Sequence, residues 1–146
     1  MDKEISAGSF GGFDVRVGLE FHKTIDYDRK AMRKALREGA AQVRKEARRI
    51  VSRRAISAAG DFPGLQSGAL KRAIGIVSKG SKGGWIKVGV RKSKEMTAFY
   101  PAFLFYGSTK NNLARRGNFI TTALAAKRES VRGQIRDALK HSLVPR

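Results

Sequence analysis

Cysteine is absent from the 146 residues. That excludes disulfides, thiolate metal sites and cysteine nucleophiles, and it fits a reducing compartment. Histidine occurs twice, at His22 and His141, and neither has a second ligand at metal-binding spacing. Carboxylates are scarce, and most stand beside a Lys or Arg, the arrangement of ion pairs rather than of a catalytic acid and base. No apolar run approaches the roughly 18 residues of a membrane span. The opening "MDKEISAGSFGGFD" lacks the basic and then apolar regions of a signal peptide. Neither Ser67-Gly68 nor Gly107-Ser108 sits in a nucleophile elbow, and the glycines of 80–84 lack the Gly-Lys-Ser/Thr ending of a phosphate-binding loop. These absences lead us to expect no enzyme, no cofactor or metal, no small-molecule substrate and no membrane partner.

What is present is positive charge. Thirty-one Lys+Arg against 12 Asp+Glu give a formal charge of +19, which raises affinity for DNA, RNA, anionic lipid or an acidic protein surface. The length suits one domain. Residues 1–12 hold three glycines and little pattern, and read as a flexible arm. Residues 13–21, "FDVRVGLEF", alternate apolar and polar, as a half-buried strand does. From there to residue 142 we expect a single domain (13–142). The last four residues, 143–146, resemble what a cleaved thrombin tag leaves.

After Asp26 and Asp28, candidate caps, Met32, Leu36, Ala40, Val43, Ala47 and Ile50 recur at helical spacing, so one long helix is expected over about 27–55. Residues 57–70 read as a loop. Residues 70–79 and 84–92 read as two strands of a hairpin across "GSKGG". Residues 97–107 are apolar on both faces and fit a buried strand or a short buried helix equally. Residues 108–117 read as a polar basic loop, and a second helix begins at Phe119. The fold class expected is α+β: a small antiparallel sheet packed against two main helices, one long and one C-terminal.

At about 100° per residue, Lys30, Lys34, Arg37, Arg44, Lys45 and Arg48 share one face of the long helix, opposite its apolar stripe. Only Glu38 and Glu46 interrupt the positive run, and like charges at this spacing repel. The face is either an ordinary solvated surface or the side that meets DNA or an acidic partner. No base-reading module is visible, so contacts with nucleic acid would be to phosphate.

The aromatic residues concentrate in "TAFYPAFLFYGST" (97–109). Tyr100, Phe103, Phe105, Tyr106 and Gly107, with Phe119 beyond, read as core or as a subunit interface, where Tyr and Phe are enriched. Phe103, inside the densest run, is expected in the core.

Three ordered blocks carry a family resemblance. "SGALKRAI" (67–74), "YPAFLFYGST" (100–109) and "GNFITTALAAKRESVRGQIRDAL" (117–139) are similar to those of the neck or tail-completion proteins of long-tailed bacteriophages, the group of minor tail protein Z of phage lambda. The chain departs from the pattern where Phe105 replaces a Glu, Ser108 a Thr and Asn118 a Pro. The resemblance implies a structural virion protein of the neck, present in the host cytoplasm during assembly. It would sit in a homo-oligomeric ring, by resemblance a hexamer, between head-closure and tail-terminator proteins and around phage DNA. The alternative is a basic, non-sequence-specific nucleic-acid-binding protein acting outside a virion.

Overall fold

A computed structural model describes residues 25–54, 56–81, 84–96 and 100–145. The expected strand 13–21 and the N-terminal arm lie outside the described residues. The elements are β1 (Ile25–Tyr27), α1 (Arg29–Ile50), α2 (Ala69–Ala73), β2 (Ile74–Val77), β3 (Lys87–Val90), α3 (Tyr100–Tyr106), α4 (Phe119–Ser142) and β4 (Leu143–Pro145). The class is α+β, as expected, with the long helix packed on the C-terminal one.

Each main helix starts where a side chain takes over its free amides. The Asp28 carboxylate accepts from the amides of Lys30 and Ala31 at 2.8 and 3.1 Å. The Asn118 side chain accepts from those of Ile120 and Thr121, both at 3.2 Å. α1 stops at Ile50, earlier than the expected residue 55, and a turn at Val51 and Ser52 ends it.

α1 and α4 pack antiparallel, and Gly39 lets them approach. A Cβ there would lie 2.9 Å from Val131 Cγ1. A polar ladder fixes their register. Gln134 donates to Glu38 at 2.7 Å, Gln42 donates to Gln134 at 2.8 Å, and Ser130 donates to Gln42 at 2.9 Å. Beside the ladder the core is apolar: Val43, Ala47, Val51, Leu70, Ile74, Phe119, Ala123 and Val131.

The segment read as strand 70–79 divides. Gly68, at φ 77°, opens the short helix α2, and the strand begins only at Ile74. Ala-Leu-Lys-Arg-Ala are helix formers, whereas Ile-Gly-Ile-Val is rich in β-branched side chains. β2 pairs antiparallel with β3 in the register Ile74↔Val90 and Ile76↔Val88. This hairpin lies on α1. A second two-stranded sheet joins β1 to β4, pairing Ile25 with Pro145 and Tyr27 with Leu143.

Candidate interaction surfaces

Of the 97–107 segment, residues 97–99 lie outside the described residues, and Tyr100–Tyr106 form helix α3, on the surface. One side of it points inward: Pro101 is buried, and Tyr100 and Leu104 pack against the core. Burial pushes the Tyr100 phenol upward from its usual range. The other side faces out, with Phe103, Phe105 and Tyr106 exposed at 42%, 37% and 70%. Phe103 is therefore not the core residue it was expected to be. On a seven-residue helix one face meets the protein, and residue 103 falls opposite Pro101 and Leu104. Of the aromatics named from sequence, Phe119 alone is fully buried, at 8% exposure. The rings of Phe105 and Tyr106 meet edge to face, centroids 4.8 Å apart.

Gly107 ends α3 at φ 80°, and its amide donates to Phe103 O at 2.8 Å. The chain then turns back. Ser108 and Leu113 exchange backbone hydrogen bonds, both 2.8 Å, so part of the expected loop is a tight hairpin. Arg116 N–H donates to Leu104 O, and Gly117 N–H to Asp61 O. These bonds place the exposed Phe62 loop beside the C-terminal end of α3.

Between α1, α4, β3 and α3 lies a largely apolar groove of about 520 Å³. Val43, Phe119, Leu124 and Val131 form part of its lining, and Trp85, Ile86 and Phe105 also face it.

The six basic residues of α1 do not act alike. Lys30, Lys34, Arg37 and Lys45 are exposed, and Arg44 and Arg48 are half-buried. Arg48 is a structural tie. It donates to Ile74 O at 2.8 Å, joining α1 to β2. Lys34 reaches Glu38 at 4.0 Å, and Lys30, Arg37 and Lys45 make no ion pair among the described residues. At the helix's C-terminal end, Arg49 chelates the Glu46 carboxylate, and those hydrogen bonds lower its pKa. The open basic face is thus Lys30, Lys34, Arg37 and Lys45. Sequence spacing had no signal for the Arg48 tie, because that depends on β2 passing beside α1.

Among the described residues, no group of three or more His, Cys, Asp or Glu is placed to hold a metal ion, and no helix is long and apolar enough to cross a membrane. What the described residues present is an aromatic ridge, a groove and a basic face. Residues 19–108 match the model of the HK97-gp10-like family, described as "Bacteriophage HK97-gp10, putative tail-component". That span is more than half of the chain, which belongs to this family of phage tail components. No curated protein and no solved structure matches it.

Proposed function

We propose that this tail component is a neck, or tail-completion, subunit: copies close into a ring that joins tail to head around the DNA path. The observation that carries the reading is the outer face of α3. It bears three exposed aromatics and no charge, on a chain of net charge +19 whose other surfaces repel a like copy. Those rings together expose roughly 300 Å², the size at which an apolar patch marks a contact. A stable interface needs about 800 Å² from each partner. α3 is then the centre of the contact, and the loop carrying Phe62 widens it. The open face of α1 meets polyanion, either DNA in the channel or an acidic surface on a neighbouring ring.

The experiment is cryo-electron microscopy of the particle that carries this protein. Density for the fold, in a closed ring at the junction of head and tail, is expected. Density along the tail tube, or at the tail tip, would overturn the neck assignment and leave only the family membership. A protein absent from particles but bound to host nucleic acid would favour the alternative of a free DNA-binding protein.

A further inference from the structure

On the reading of α1 as the polyanion face, we propose that this face continues into a second anchoring point for duplex DNA. It is a depression beside the end of α1 and α2, where Arg54, Lys71 and Arg72 hold backbone phosphates. The polyanion is thereby named as DNA, and cations outside α1 join those on it.

The depression encloses about 680 Å³, and Gln66 and Ser67 line it together with the three cations. Arg54 and Arg72 are exposed, and Lys71 is half-buried. Two of the three are held in place. Lys71 Nζ donates to Ser52 Oγ at 2.7 Å, and Ser52 Oγ donates in turn to Arg48 O at 2.6 Å. An ammonium carries three donors, and this bond takes one. Arg72 donates to Glu95 through Nε at 3.2 Å and through Nη2 at 2.5 Å, and Nη2 also reaches Ser67 O at 3.2 Å. Its Nη1 occupies the space that a side chain at residue 68 would need: a Cβ on Gly68 would lie 2.8 Å from it. Cations fixed in this way lose little freedom when an anion arrives. Arg, Lys, Ser and Gln are also the side chains that commonly donate to phosphate oxygens.

The depression lies on the charged side of α1. Arg48 belongs to the basic face by spacing, and it donates to Arg72 O at 3.4 Å and to Ile74 O at 2.8 Å. The end of α2 therefore sits on that side of the helix, and Lys30, Lys34, Arg37 and Lys45 lead along α1 toward it. The 22 residues of α1 span about 33 Å, close to one turn of duplex at about 34 Å. The form of the charge selects the partner. Duplex DNA carries one negative charge per roughly 1.7 Å of its axis, so it meets cations along the whole strip. A protein surface intersperses both signs and would set some of its own cations against them.

The test is fluorescence anisotropy of a labelled duplex longer than α1, titrated with the full chain over a range of salt. Arg54→Gln/Lys71→Gln is expected to reduce the slope of log affinity against log salt by about 2. The same reduction is expected when the pair is added to Lys30→Gln/Arg37→Gln/Lys45→Gln. Lys71→Gln also removes the bond to Ser52, so two further variants separate charge from folding. Arg54→Gln alone, at an exposed position, should reduce the slope by about 1, and Lys71→Arg, which keeps the charge, should leave it unchanged. A parental slope in Arg54→Gln/Lys71→Gln would overturn the proposal. If the triple variant of α1 still lowered the slope, DNA would be confined to the face of α1, and that reading would stand. A parent chain that does not bind duplex would also overturn the proposal. Binding of labelled polyglutamate in its place would assign the whole basic surface, α1 included, to an acidic neighbour.

Discussion

Gly39 sits in the interior of α1, where alanine would ordinarily stabilise the helix by about 1 kcal/mol. Here the added methyl meets Val131 at 2.9 Å, and overpacking costs about 1–3 kcal/mol. The clash should win: Gly39→Ala is expected to lower stability. In the Val131→Ala background, where the opposing methyls are gone, the same substitution should raise it. Urea denaturation of the four proteins in this cycle checks the reversal of sign. A stabilising Gly39→Ala in the parent chain would show that α1 and α4 do not touch as described. Arg48 offers a second contrast. Arg48→Gln strips Ile74 O of its partner and should cost about 1–3 kcal/mol. Lys45→Gln, on the open face of the same helix, should change stability by no more than about 0.5 kcal/mol. Equal losses in thermal melts would mean that Arg48 is not a tie.

At the scale of elements, the caps deserve the same treatment. Asn118 stands where the family block has proline, and it supplies the side-chain oxygen that starts α4. Asn118→Ala should cost about 1 kcal/mol, read as a lower melting temperature with less helical signal. How far the elements were legible follows from what each depended on. α1 and α4 were readable because a 3.6-residue apolar period and a cap are local facts, although the stop at Ile50 was not. α2 was missed because five residues of Ala-Leu-Lys-Arg-Ala are too few to set a period, and Leu70, Ala73 and Ile74 are apolar in either reading. α3 stayed ambiguous because residues 97–107 are apolar on every side. That composition signals burial, and Phe103, Phe105 and Tyr106 break the rule by facing out. Of the six cations grouped by spacing, Lys30, Lys34, Arg37 and Lys45 are exposed on α1. Spacing could not single out the other two, because Arg48 is tied to a strand distant in sequence and Arg44 is half-buried.

For the whole molecule, charge and apolar surface make separate predictions. If the open face of α1 meets DNA, binding to duplex should be independent of sequence and fall steeply between about 50 and 200 mM salt. Lys30→Gln/Arg37→Gln/Lys45→Gln should reduce the slope of log affinity against log salt by about 2–3 while the melting temperature holds. Fluorescence anisotropy with two unrelated duplexes checks this, and an unchanged slope would assign the face to an acidic neighbour or to solvent. The aromatic ridge bears on assembly itself, since copies with a net charge of +19 need an uncharged surface on which to meet. The measurement that tests this account most directly is native mass spectrometry of the parent chain and of Phe103→Ser/Phe105→Ser/Tyr106→Ser. We predict one discrete higher oligomer for the parent and a monomer for the variant, the two having the same circular dichroism. A parent chain that stays monomeric at every concentration, or a variant that assembles as the parent does, would contradict it.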